Sequence, residues 1–161
     1  MAYRLSLSKS AGLSILQSME RTKIAPCLAL IKGGGGKLLR EKIVASASKR
    51  FVVVADESKQ VQKLGRFPLP VEVIRMAAPL VSDSLRELGF TPSLRPDHDG
   101  RPYITDEGNF ILDCSGLLIE NPDAVATEID SIVGVVEHGL FLHMADLAVI
   151  AGEKQVIERK V

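Results

Sequence analysis

The chain has 161 residues, and 20 Lys and Arg balance 20 Asp and Glu, so its formal net charge is zero. A chain of this length can bury one good core or two small ones. Zero net charge offers no electrostatic case for nucleic acid or for an anionic membrane, and no apolar run reaches the roughly 20 residues of a membrane span. Two cysteines are too few for a disulfide framework, so we expect a cytoplasmic protein.

The first informative segment is a run of four glycines, Gly33 to Gly36, between Lys32 and Lys37. Glycines let backbone N–H groups close on a ligand. Residues 37–49 have the pattern of an amphipathic helix, and a helix N-terminus favours negative charge. Glu41 lies about one turn into this helix. A carboxylate facing a cationic glycine loop suits proton abstraction next to a carbonyl, which indicates an enzyme.

The glycine run has two other interpretations. A nucleotide-binding P-loop needs Ser or Thr after its lysine to hold Mg²⁺, and Leu38 follows Lys37 here, so the pattern argues against one. A tight strand-to-helix turn without a ligand is the simpler alternative. Four consecutive glycines give more backbone freedom than a turn needs, and this favours a functional loop.

A buried strand is predicted next. Residues 51–55 are apolar and mostly β-branched, as expected of a strand covered on both faces of a parallel sheet. Polar residues 56–59 follow, at the edge where open α/β sheets place their ligands. The proline-rich residues 65–70 suit neither a helix nor a strand interior, so they indicate a domain boundary.

A different pattern follows this boundary. Strands are predicted at 71–74, 93–95, 109–114 and 135–142, and helices at 77–88 and 122–132, with Asn121 as N-cap and Pro122 in the first turn. The order βαββαβ is the ferredoxin-like split motif. The first of these helices is predicted to group its less polar side chains, Leu80, Val81, Ser84, Leu85 and Leu88, on one side. Strands at 147–150 and 156–161 are predicted to return to the first sheet.

The remaining polar residues give weaker signals. His98, His138 and His143 show no metal-binding spacing with one another or with the cysteines, so no metal site is predicted. Asp106 and Glu107 precede a glycine, which is typical of a turn.

From residue 24 to its end the chain resembles ribose-5-phosphate isomerase type A. The resemblance rests on segments that occur in order along the chain: Leu30-Ile-Lys-Gly-Gly-Gly-Gly36, Arg40-Glu-Lys-Ile43, Ala55-Asp-Glu-Ser-Lys59, Pro68-Leu-Pro-Val-Glu-Val-Ile74, Thr105-Asp-Glu-Gly-Asn-Phe-Ile-Leu-Asp113, Val133-Gly-Val-Val136 and Gly139-Leu-Phe141. That family interconverts ribose 5-phosphate and ribulose 5-phosphate without metal or cofactor, and its members commonly form dimers or tetramers.

The resemblance implies roles for particular residues. Glu41 matches the family's proton-transfer base, which acts through an ene-diolate. Lys32 and the glycines Gly33, Gly34 and Gly35 match the substrate-binding loop, and Lys59 matches a further substrate-contacting lysine. The implied fold is α/β, an incomplete Rossmann-like parallel-sheet domain with an inserted ferredoxin-like domain. The expected division is 24–68 with 135–161 for the first, and 69–134 for the second.

Residues 1–23 resemble nothing in the family. Intact members begin with further strand–helix units that carry a Thr-Gly-Ser-Thr phosphate loop and an Asp-Gly-Ala-Asp-Glu segment. Codons allowed for Ser18 to Lys23, read one base earlier, spell that acidic segment, so we expect a frameshift before Ile24 and a mis-framed leader. The alternative to an isomerase is a catalytically inactive remnant that acts at most as a binding or assembly module.

Overall fold

The computed structural model describes residues 13–17, 22–152 and 156–160. The strands are β1 (Leu13–Gln17), β2 (Lys23–Ile24), β3 (Leu30–Ile31), β4 (Arg50–Asp56), β5 (Leu69–Val73), β6 (Thr91–Leu94), β7 (Phe110–Ser115), β8 (Val135–His138), β9 (Leu140–Phe141), β10 (Leu147–Ala151) and β11 (Val156–Lys160). The α-helices are α1 (Leu38–Ser46), α2 (Ala78–Glu87) and α3 (Pro122–Asp130), with short 3-10 helices at Pro26–Leu28, Glu57–Lys59 and Arg75–Ala77.

The first sheet has the strand order β1-β4-β10-β11. Strands β1 and β10 run parallel to β4, and β11 closes the edge antiparallel to β10. Phe51, Val53 and Ala55 of β4 are buried together with Val52 on the other face, so the prediction of a strand covered on both sides is confirmed. The predicted return of the last strands to this sheet is also confirmed.

The second sheet is antiparallel, in the order β6-β7-β5-β8. The chain order β5, α2, β6, β7, α3, β8 is the predicted ferredoxin-like βαββαβ arrangement. Helix α3 begins as predicted, because the Asn121 side chain accepts the N–H of Ala124 at 3.1 Å. Val71 and Val73 of β5 join the core that includes α2 residues, so Glu72 between them faces the opposite side of the sheet.

A small third sheet, β2-β3-β9, joins these two parts. Leu30 and Phe141, which are register partners, belong to the core of the parallel sheet. Their neighbours Ile31 and Leu140, also partners, belong to the core of the ferredoxin-like part. Successive residues of a strand point to opposite faces, so this two-residue pairing connects both cores. Helix α1, which follows β3, packs against β5 and β8.

The prediction of one strand at 135–142 is wrong, because two strands occupy these residues in different sheets. Gly139 separates them: its N–H donates to Pro70 O at 2.8 Å, and its carbonyl accepts the N–H of Lys32 at 2.8 Å. A Cβ at Gly139 would lie 2.4 Å from Lys32 O. At Gly139, where only glycine fits, the chain thus leaves its pairing with β5 and begins its pairing with β3.

Leu80 does not pack as predicted. It is 59% exposed, whereas Val81 and Leu85 of the same helix are fully buried. Helix α2 buries the side that carries Val81 and Leu85, one turn apart, and Leu80 lies about 100° away from Val81 around the axis.

The predicted leader falls partly outside the described residues, because residues 1–12 and 18–21 are not described. Within the leader, Leu13–Gln17 forms β1, which pairs with β4. The amino-acid pattern of the leader did not predict this strand. The domain boundaries at 68/69 and 134/135 stay predictions. Strand β8, which follows the second boundary, pairs with β5 and so lies in the ferredoxin-like sheet. None of the helices in the described ranges is both long and apolar enough to cross a membrane.

Two glycines with left-handed backbone test how tightly the ferredoxin-like part is packed. Gly134 (φ +100°) has Ala77 Cβ only 2.3 Å from the position of an added Cβ, whereas Gly100 (φ +79°) has nothing within 4 Å. We expect Gly100→Ala to cost about 1 kcal/mol of unfolding free energy, from backbone strain alone. Gly134→Ala should cost a further ~1–3 kcal/mol from overpacking. Urea unfolding measures both, and equal losses would contradict the packing described here.

Candidate active site

The glycine loop connects β3 directly to α1. Gly33 (φ +93°) and Gly36 (φ +81°) both have left-handed backbone. The N–H of Gly36 donates to Gly33 O at 3.0 Å, which closes a turn. A Cβ on Gly33 would lie 2.5 Å from Leu38 Cβ, and one on Gly36 would lie 2.3 Å from the Tyr103 hydroxyl. The loop is therefore pressed between its own helix and the ferredoxin-like part, which excludes larger residues.

Lys32 and Glu41 meet beside this loop. Lys32 Nζ lies 3.2 Å from Glu41 Oε2, and their side chains are only 4% and 14% exposed. The contact is short enough for an ion pair, yet Glu41 Oε2 has no aligned hydrogen-bond donor among the described residues. Glu41 also lies in the first turn of α1, where the helix dipole stabilises negative charge. The result is a shielded carboxylate beside a cation, with an oxygen able to accept a proton.

Lys42, the next residue, anchors the helix to the ferredoxin-like sheet. Its Nζ lies 2.5 Å from Glu137 Oε1 and donates to His138 O at 2.7 Å. The Phe141 ring lies close to both lysines, with its centroid 5.1 Å from Lys42 Nζ and 5.8 Å from Lys32 Nζ. Burial lowers the pKa of Lys42, and the Glu137 carboxylate partly offsets this. Lys42 therefore fixes how α1 is rotated, and with it the direction of Glu41.

His138 completes this group. Its Nδ1 accepts the N–H of Leu140 at 3.2 Å, and its Nε2 lies 3.2 Å from Asp130 Oδ1. Burial, with the Lys42 charge as the next cause, lowers the pKa of His138, against the opposing effects of Asp130 and Glu137. Asp130, Glu137 and His138 bring three potential metal ligands within 4.8 Å of one another. The ammonium of Lys42 already engages Glu137 there.

Arg95 contacts the glycine loop from behind. It follows β6 and is 8% exposed. Its Nη1 donates to Gly33 O at 3.1 Å and to Gly34 O at 3.2 Å, and the rest of its guanidinium is paired with Asp113 at 2.8 and 2.5 Å. Both loop carbonyls are thereby held by one side chain of the ferredoxin-like part.

The turn at residues 105–109 holds the start of α1. Asp106 pairs with Lys37 at 3.1 Å and with Arg40 at 2.8 Å. The hydrogen bond from Lys37, with the charge of Arg40 in addition, lowers the pKa of Asp106. Glu107 also pairs with Arg40, at 2.5 Å. These carboxylates neutralise two cations at the helix start.

Glu72 supports this turn from below. It is fully buried, and its Oε1 accepts from Thr105 Oγ1 at 2.8 Å and from Asn109 Nδ2 at 3.0 Å. Its Oε2 has no hydrogen-bond partner among the described residues. Glu72 thus ties the turn to the sheet beneath it.

The structure brings Lys32 and Glu41 into contact, with the glycines beside them. Gly33 is buried, Gly34 is half-buried and Gly35 is exposed. Lys59 lies in the segment after β4, 3.8 Å from Asp56 Oδ2, with a side chain only 15% exposed. That segment is tied to β2, since Lys23 Nζ donates to Ser58 O at 3.2 Å.

Sequence reasoning missed Lys42, Arg95 and Glu72. The partners of Lys42 and Arg95 are 95 and 18 residues away along the chain, so local spacing gave no signal. A carboxylate within an apolar strand, as at Glu72 and Asp113, is the signal that could have found them, because a buried charge needs partners.

A cleft of about 260 Å³ lies elsewhere, lined in part by Cys27, Leu64, Ile119 and His143. None of Lys32, Glu41 or Lys59 lines it, so this cleft does not coincide with the buried charges.

His138 should make stability depend on pH. Because burial lowers its pKa, the unfolded chain binds the proton more tightly, so stability is full above about pH 6.5 and falls below it. We expect His138→Gln to lose less unfolding free energy than the original chain as pH falls, by up to about 1.4 kcal/mol per pH unit. Urea titrations across this range measure the difference. His98→Gln, whose side chain is 87% exposed, is the control; equal pH dependence for all three chains would contradict the prediction.

The chain is similar to known proteins over most of its length. The family model of ribose 5-phosphate isomerase A (phosphoriboisomerase A) matches residues 21–155. The chain is 56% identical over 137 residues to a ribose-5-phosphate isomerase A of Roseiflexus sp. (strain RS-1), covering 84% of this chain and 59% of that protein.

Solved structures of such isomerases are also similar to this chain. Ribose 5 phosphate isomerase A from Neisseria gonorrhoeae superposes with a TM-score of 0.84 at 42% identity, over 92% of this chain and 63% of the other. A D-ribose-5-phosphate isomerase in complex with phospho-erythronic acid superposes with a TM-score of 0.87 at 32% identity, over 92% and 65%. The chain spans about three-fifths of the length of such relatives. On the family match and these identities, the chain belongs to the ribose 5-phosphate isomerase A family.

Proposed function

We propose that this chain carries the proton-transfer site of an aldose–ketose isomerase that interconverts D-ribose 5-phosphate and D-ribulose 5-phosphate. The observation that carries the proposal is the shielded Lys32–Glu41 pair, at 3.2 Å, beside the glycine loop. Membership of the family supports the choice of substrate. The relatives are longer than this chain. That this chain itself catalyses the reaction is therefore also part of the proposal.

In this mechanism Glu41 is the catalytic base. Its carboxylate takes the proton from C2 of the open-chain aldose, and the C–H electrons form the C1=C2 double bond of an ene-diolate. The protonated Glu41 then delivers the proton to C1, while the O2 proton passes to O1 and a carbonyl forms at C2. The reaction needs no external oxidant or cofactor, because the substrate is oxidised at C2 and reduced at C1.

The cation and the loop stabilise the intermediate. The Lys32 ammonium is fixed by burial and by Glu41, so it can face the developing oxygen charge without reorganising. The backbone N–H groups of Gly33, Gly34 and Gly35 supply donors of the same kind. Lys59, with a largely buried side chain, is proposed to contact the substrate from the end of β4.

The predicted partner, assembly and location of the protein belong to the same proposal. The expected partner is a small sugar phosphate, in a homo-oligomer of the kind the family commonly forms and in the cytoplasm. Neutral net charge supports a small-molecule partner over nucleic acid or membrane. The two cysteines, Cys27 and Cys114, are free thiols, which supports a reducing compartment.

Replacing the base tests the mechanism. We expect Glu41→Gln to lower kcat by about 10²- to 10⁴-fold, the usual contribution of a general base. Ketose formation and exchange of the substrate C2 proton in D₂O should fall together, since both need the same carboxylate. Proton NMR of the sugar measures both rates.

Glu87→Gln, at an exposed glutamate that ends α2, is the matched control and should keep full activity. An original chain without turnover would favour the inactive remnant. Full activity of Glu41→Gln would assign the base to another residue.

A further inference from the structure

Arg95 is held in one orientation. Two of its nitrogens bind the two oxygens of Asp113, at 2.8 and 2.5 Å, in a planar fork. Its backbone is also fixed, because its N–H donates to Ile111 O and its carbonyl accepts the N–H of Tyr103, both at 2.8 Å. The remaining nitrogen, Nη1, can therefore act as a rigid donor toward the glycine loop.

That donor decides how two peptide units of the loop are turned. Nη1 binds the carbonyls of Gly33 and Gly34 at 3.1 and 3.2 Å. In a trans peptide the carbonyl and the following N–H point in opposite directions. No peptide bond of the described residues is cis. With both carbonyls turned toward Arg95, the N–H groups of Gly34 and Gly35 are turned away from it.

These two N–H groups are available to a ligand. In the ranges that the structure describes, neither donates a hydrogen bond to another backbone or side-chain group. Gly34 is half-buried and Gly35 is exposed, so both can be approached from outside. A run of glycines would otherwise populate many backbone conformations, and fixing it costs entropy.

We propose that Arg95 is a positioning residue that aims the N–H groups of Gly34 and Gly35 at the ene-diolate oxygens by holding the carbonyls of Gly33 and Gly34. This rests on the proposed function of the loop. The Asp113 carboxylate compensates the charge of Arg95, so its contribution is orientation, set before the substrate arrives. Preorganised donors of this kind stabilise charge in the transition state because they need no reorientation.

The test compares Arg95→Gln with Arg101→Gln, a matched change at an exposed arginine that pairs with Asp97 and Asp99. In the free protein, ¹⁵N-resolved amide spectra should show the Gly34 and Gly35 signals moved and their hydrogen exchange changed only in Arg95→Gln. Phospho-erythronic acid, whose two carboxylate oxygens can take the places of the ene-diolate oxygens, should bind about 10- to 100-fold more weakly to that variant, as measured by calorimetry. Arg101→Gln should stay within about twofold of the original chain in each readout.

Kinetics separate positioning from a general loss of structure. Arg95→Gln should lower kcat with little change in KM, since the aimed donors act in the transition state. Arg95→Lys should not rescue it, because an ammonium cannot keep the fork with Asp113 and bind both carbonyls. If Arg95→Gln does not fold, Arg95→Lys carries the same comparison.

The proposal is overturned if Arg95→Gln leaves the Gly34 and Gly35 signals in place, or if it binds phospho-erythronic acid as tightly as the original chain. Failure of the proposed function gives a different result: the original chain itself shows no turnover and no binding of this compound. The spectra of the free protein still decide, in that case, whether Arg95 orients the loop.

Discussion

The direct turn from β3 into α1 is the constraint on which the candidate site depends. At Gly33 and Gly36 the backbone is left-handed, and a Cβ would collide with Leu38 or with Tyr103. Only glycine can occupy these two positions of the turn where it packs against the ferredoxin-like part. This turn brings Lys32, directly after β3, and Glu41, in the first turn of α1, to 3.2 Å from each other.

The ferredoxin-like part holds this turn by polar contacts from several directions. Arg95 binds the loop carbonyls, the turn at residues 105–109 pairs with the start of α1, and Glu137 holds Lys42. Groups of this kind are expensive to bury unless they are paired, and most of them are paired here. The ferredoxin-like part therefore fixes the elements from which the candidate site is built.

Much of the fold could be predicted because it follows from local patterns. The apolar run of β4, the cap at Asn121 and the βαββαβ order each depend on neighbouring residues, and each was found. The errors arose where a distant contact decided the outcome. Gly139 divides β8 from β9 because it packs against Lys32 and Pro70, and Leu80 is exposed because α2 turns its Val81 side to the sheet.

By itself the sequence determined the family resemblance, the glycine loop and the residues nominated for chemistry, because these are carried by residue type and short spacing. Their roles remain proposals. The tertiary structure alone decided that Lys32 and Glu41 form a shielded pair. It also decided that Arg95 holds the loop carbonyls, that Lys42 holds α1 to the ferredoxin-like sheet, and that Glu72 holds the turn at residues 105–109. Those contacts join residues up to 96 positions apart, and such pairings are set by how sheets and helices stack. No local pattern records that stacking, because it follows from burying both cores at once.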